Sequence, residues 1–269
     1  RGPAIHVRSG HGDIVGKNVR PDMTSLRTGH GDVAITEAAG DVDIHSGHGD
    51  LAITDSTVGH LNAHTGHGDV VSSAVRGAAT VKSGHGDIRL ERVEGSVDAH
   101  TGHGDLSVEA RGGAVTLNTG HGDVSILGHA LDGLFAKTGN GDLDAELHGD
   151  TGAIELRTGN GDISLEADAA AQVFAHTGRG DVSGEIAGNV SGEVKLDTGH
   201  GDIAVHVDSV GSLDGGTGVG EIALSVAADV AFTLDASTGG GEVSSRLDLT
   251  DVERSKDGRR LRASRLGGG

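Results

Sequence analysis

Seven histidines recur at near-constant spacing, His11, His30, His48, His67, His85, His103 and His121, and each stands two residues ahead of an aspartate: Asp13, Asp32, Asp50, Asp69, Asp87, Asp105 and Asp123. Neutral imidazole beside carboxylate is a ligand set for borderline divalent metals, so the repeated pair predicts an array that could hold Zn²⁺, Ni²⁺ or Cu²⁺ ions between neighbouring copies. The competing reading is structural: each Asp accepts hydrogen bonds from turn N–H groups and from the Ser or Thr hydroxyl of its own motif. Acids stacked at strand spacing repel by about 1 kcal/mol per pair in water and more at lower effective dielectric, so one of these compensations is required. The acidic column runs on through Asp142, Asp162, Asp181, Asp202, Glu221 and Glu242, but His gives way to Asn140, Asn160 and Arg179 before returning at His200. A continuous metal array disfavours that break, whereas a passive turn tolerates it.

What positions these residues is a motif, [Ser/Thr]-Gly-x-Gly-[Asp/Glu]-aliphatic, whose thirteen copies open at Ser9, Thr28, Ser46, Thr65, Ser83, Thr101, Thr119, Thr138, Thr158, Thr177, Thr198, Thr217 and Thr238. The spacing is 18 to 21 residues. A fixed period of this size marks stacked units that cannot bury an apolar face alone but share a core with their neighbours. Between Thr28 and Ser46 the alternation reads strand at Asp32 to Thr36, turn at Glu37 to Gly40, strand at Asp41 to Ser46, then the Gly-x-Gly turn. Period two sends Val33, Ile35, Val42, Ile44 and Ser46 inward. The aliphatic after each acid and the residue four before each Ser/Thr, from Ile5 onward, form the two main columns of the core. The expected fold is all-β: a parallel β-solenoid of about thirteen coils, two short strands per coil, right-handed by the crossover rule, and about 60 Å long at strand spacing. Gly-x-Gly lets the chain reverse where stacked Cβ atoms would crowd.

Composition narrows function. The net charge is −19 with 17 His neutral, which disfavours nucleic acid and anionic membrane and suits cations or basic surfaces. No run reaches the length of a membrane helix, so membrane insertion is not expected. Aromatic content is 1% and there is no Cys, which removes thiolate metal sites and leaves sugar-stacking platforms only at Phe135 and Phe174. Nearly every Asp belongs to the repeat, whereas a polysaccharide-cleaving β-helix needs a singular acidic and basic cluster, so no catalytic residue is assigned and no enzyme is expected. Arg179-Gly180-Asp181 spells an adhesion tripeptide, yet Arg179 only fills the variable turn position.

The repeat domain is expected over 1–243, with a basic capping segment at 244–269: a strand at Arg246-Leu247-Asp248-Leu249, a turn at Asp257-Gly258 and a returning strand from Arg259 to Leu266. Its six cations, Arg254, Lys256, Arg259, Arg260, Arg262 and Arg265, either blunt the open sheet edge or dock an acidic partner.

The repeated core, as in Ser83-Gly84-His85-Gly86-Asp87-Ile88, resembles the bacterial adhesin-labelled β-strand-repeat family, a domain family without an assigned function, over Arg1 to Val243. The resemblance implies a β-solenoid and an adhesive or structural role. It also implies that a Gly-rich stretch like Leu266 to Gly269 precedes one more repeat, and the start at Arg1 fits an upstream segment that has been removed. The function expected is a non-enzymatic interaction module with a protein or cell-surface partner, at the cell surface or outside the cell. Self-association through the faces or ends of the rod is a further expectation. The alternative is a metal-cation-binding rod.

Overall fold

The computed structural model describes residues 3–227, 231–245, 250–255 and 257–265, and the described residues form strands and turns with no helix. Two compact units, Arg1–Leu131 and Asp132–Gly269, divide the chain, and each is a stack of parallel β-coils.

In the first unit every coil has two strands. Val33–Thr36 and Ala39–His48 make one coil, Leu51–Thr54 and Thr57–His67 the next. Equivalent residues pair in register, Val33 with Leu51 and Ile44 with Ala63, which is why a single alternation phase serves all coils. The strands extend through the first glycine and the histidine of the motif, one turn further than the alternation alone predicts. Asn18, Glu37, Asp55 and Arg92 have φ between 50° and 58°: the first three end the ladder just after Lys17, Thr36 and Thr54, while Arg92 sits at the register shift between Leu90 and Val93.

The second unit solves that corner differently. Leu143–Asn160, Ile163–Arg179, Val182–His200 and Ile203–Val219 are each one unbroken strand where two were expected. Among the described residues at these corners only Gly149 has a positive φ, so the chain bends through extended residues and the ladder continues. The bend is absorbed as register shifts, at Leu147/Asp150, Ala167/Ala170 and Ile186/Asn189.

The expected core is buried: Val33, Ile35 and Ile44 are wholly inaccessible, and Val42 and Ser46 nearly so. Ile5 and Val7 are the exceptions. They hold inward positions but are 41% and 39% exposed, because no described coil lies beneath the first one.

At the other end, Thr250–Arg254 and Arg260–Arg265 form an antiparallel pair, and the latter runs antiparallel along Phe232–Thr238. It covers the edge of that strand, and Leu261 and Ala263 are buried. The returning strand begins at Arg260, one residue later than expected, and Leu266 and the proposed strand at 246–249 lie outside the described residues. Arg260 Nη2 and Arg262 Nε each donate to Asp235 Oδ2 at 2.9 Å. The hydrogen bond from Arg260, then that from Arg262, holds the Asp235 carboxyl below the usual carboxylate range. Stabilisation from a lowered carboxyl pKa is complete above the unfolded value of about 3.9 and disappears as pH falls through the folded one. Because Asp235 is more than a third exposed, the pairing is worth at most about 1 kcal/mol. Arg260→Ala is therefore expected to be slightly less stable than the parent at about pH 7, with the two denaturation curves converging as pH falls through the lowered Asp235 pKa. A gap that persists in acid would assign the loss to packing of the arginine stem instead.

Candidate functional site

The first turn of each coil repeats one geometry. Its second glycine takes a φ between +113° and +152°, and the strand resumes after the acid. In the first unit the imidazoles of His11, His30, His48, His67, His85, His103 and His121 stack face to face, with centroids 4.7 to 5.0 Å apart and planes within 4° of parallel. The register puts each histidine opposite the next, so ladder spacing sets the ring spacing.

Parallel rings aim their nitrogen lone pairs side by side, in parallel planes, rather than at one point. A tetrahedral Zn²⁺ needs nitrogens about 2.0–2.1 Å from a shared centre, which rings held 4.8 Å apart in this way do not offer. Among the described residues no group of three or more His, Asp or Glu comes together as a metal site.

The aspartates are committed to the backbone. Asp13 Oδ1 accepts the N–H of Asp32 at 2.9 Å, Asp32 that of Asp50, Asp50 that of Asp69, Asp69 that of Asp87, Asp87 that of Asp105, and Asp105 that of Asp123. In the second unit Asp142, Asp162, Asp181 and Asp202 do the same for Asp162, Asp181, Asp202 and Glu221. A charge-assisted bond between coils thus offsets the repulsion along the column. The other half of the structural expectation is corrected. Motif hydroxyls reach carbonyls instead: Thr101 Oγ1 donates to the carbonyl of Gly86 and Thr119 Oγ1 to that of Gly104, both at 2.9 Å, one coil back. The inward side chain lies under the preceding turn, whose carbonyl points into the coil, while the carboxylate stays on the rim.

Where histidine is replaced, another ladder forms: Asn160 Nδ2 donates to Asn140 Oδ1 at 2.8 Å. On the outer faces imidazoles meet acids. His100 Nε2 lies 2.6 Å from Asp98, His148 Nε2 3.0 Å from Glu146, His206 Nε2 3.1 Å from Asp208, and His60 Nδ1 3.0 Å from Asp41. The His60 hydrogen bond is the main cause that lowers the Asp41 pKa. Three of these pairs are two residues apart on one strand and so share a face, a signal that sequence reading passed over. Phe135 and Phe174 face outward two coils apart, separated by Glu155, and Arg157 stacks 4.9 Å over the Phe174 ring. The aromatic surface there is occupied by a cation.

What the turn ladder can do chemically follows from these partners. Its acids are hydrogen-bond acceptors in a charged, regularly spaced rim. Comparison with known proteins agrees with an architectural description. No curated protein and no solved structure matches the chain. The family model described as Toastrack DUF4097 matches residues 4–111 and 112–188, a domain of unknown function with a β-solenoid-like fold. Those two spans cover well over half of the sequence, and the chain belongs to the Toastrack DUF4097 family.

Proposed function

We propose that this chain is a non-enzymatic structural and adhesive module that binds a basic partner surface along its outer faces, at the cell surface or outside the cell. The observation that supports the reading is the use of the turn acids: Asp13, Asp32, Asp50, Asp69, Asp87, Asp105, Asp142, Asp162, Asp181 and Asp202 each accept a backbone N–H of the next coil, which fixes their carboxylates in rows at strand spacing. With a net charge of −19, such fixed rows attract a polycation through many weak contacts rather than one pocket. A flat, repetitive face suits a repetitive partner.

The test is binding to immobilised polylysine, with polyglutamate as the control, as salt is raised. Retention on polylysine in about 50 mM salt and release by about 300 mM salt, where the Debye length shortens to under 6 Å, is expected. Failure to bind polylysine, or binding that ignores salt, overturns the reading.

A further inference from the structure

One coil inside the first unit breaks the pattern of its neighbours. Between Ala39–His48 and Thr57–His67 the register shifts: Val58 pairs with Gly40 and Leu61 with Val42, so Gly59 and His60 together face Asp41. This is a β-bulge, a device that re-aims a side chain. It turns His60 across the adjoining coils. The backbone N–H and the Nδ1 of His60 both lie 3.0 Å from Asp41 Oδ1, and the other edge of the ring crosses Gly77 on the following coil, where a Cβ would stand 2.9 Å from Nε2. Gly59 makes room in the same way, since a Cβ there would meet Asp41 Oδ1 at 2.6 Å. Neither glycine belongs to the turn motif and neither has a positive φ, so both accommodate side chains rather than a reversal of the backbone.

Beside the bulge opens a groove of about 520 Å³, lined among others by Met23, Arg27, His45, His60, Asn62 and Thr80. Its walls come from four successive coils, so it runs across the strands for about 14 Å. The carboxylates in it are already engaged. Asp43 accepts Asn62 Nδ2 at 2.8 Å and Ser25 Oγ at 3.3 Å with Arg27 Nη2 at 3.6 Å, and Asp41 accepts the two nitrogens of His60. With Nδ1 donating to Asp41, Nε2 of His60 is left as an acceptor, alongside the Asn62 carbonyl and the Thr80 hydroxyl, and Met23, 45% exposed, adds apolar surface. A charged ligand meets partners that are already taken, whereas a chain of hydroxyls and C–H faces meets one uncharged partner per coil. A pyranose ring advances its chain by about one strand spacing, so the periods match. We infer that this groove is a binding site for a linear, uncharged oligosaccharide laid across the strands. The inference uses one groove rather than the acidic rim, and is independent of the function proposed above.

Cellotetraose, chitotetraose and maltotetraose are the probes, titrated against the full chain, with tetragalacturonate as the charged comparison. At least one neutral tetrasaccharide should bind saturably with Kd below about 5 mM, and raising salt from about 50 to about 300 mM should not weaken it. Its binding should shift the amide resonances of 41–45, 60–62 and 78–80. His60→Ala and Asn62→Ala should each weaken it about three- to tenfold, the range for one lost hydrogen bond. Ala78→Leu, which raises the floor of the groove, should weaken it at least about tenfold, and Ser107→Ala should have no effect. The resonance map needs no variant, so it tests the site even where a substitution disturbs the bulge. No saturable binding by any of the three up to about 20 mM overturns the inference, as do resonance shifts confined to other coils. A preference for tetragalacturonate that salt abolishes also overturns it, by making charge the recognising feature.

Discussion

Gly104→Ala is expected to cost about 3–5 kcal/mol of stability, while Ser107→Ala, three residues later, stays within about 0.5 kcal/mol. Gly104 has φ +140°, outside the range open to alanine without strain, and its missing Cβ points onto the carbonyl of Gly86. The Asp87 carboxylate that accepts the Asp105 N–H is also in the way, 2.9 Å from where the methyl would stand. Strain of about 1–3 kcal/mol from the backbone and a similar amount from overpacking are therefore incurred together. Relief by shifting the turn is blocked, because the Gly104 N–H is bound to the His121 carbonyl on the other side. Ser107 points outward between Arg89 and Ser125, and its removal opens nothing. Chemical denaturation of the two variants measures the contrast. Equal midpoints would mean that the turn is not the tight element of the coil.

These two residues also mark how far the sequence could be read. The inward phase of Val33, Ile35, Val42 and Ile44 was legible because alternation is a local property and the register repeats it from coil to coil. The acceptor role of the aspartates was legible in kind, since a carboxylate after Gly-x-Gly must meet turn N–H groups. That the donor is the next acid's own N–H, and that Thr101 turns instead to Gly86, depends on the axial offset between coils, which no single repeat encodes. The unbroken strands of the second unit were illegible for a related reason. Gly149 and Gly188-Asn189 stand at two of the three register shifts and read as ordinary turn residues, yet among the described residues of these corners only Gly149 takes a positive φ, so the residue types do not announce that the ladder runs on. Ile5 shows the limit most plainly. Its pattern is that of a core residue, and its exposure is decided by what lies beside the coil rather than by the coil itself.

The same dependence on neighbours governs the second large effect. Ile53 is wholly buried and sits in the ladder between Ile35 and Ser72, so Ile53→Ala empties part of a core only one side chain thick. Ile→Ala changes in cores cost about 2–5 kcal/mol, the upper end where the surroundings cannot collapse into the space. Here they cannot. The strands on both sides are held at hydrogen-bonding distance by the parallel ladder, and Ser72 offers no bulk to fill the gap. The expected loss is accordingly about 3–4 kcal/mol, against less than about 0.5 kcal/mol for Val15→Ala, whose side chain is 80% exposed on the outer face. The distribution of the loss is as informative as its size. In a repeat stack stability is a sum of coil and nearest-neighbour contributions, so opening should spread from the altered coil to those it touches and fade beyond them. Amide exchange should accelerate at 33–36 and 70–72, the strands paired with Leu51–Thr54, while the paired strands Ile88–Val93 and Leu106–Arg111 keep their protection. Uniform acceleration over the first unit would instead show that its coils unfold as one cooperative block.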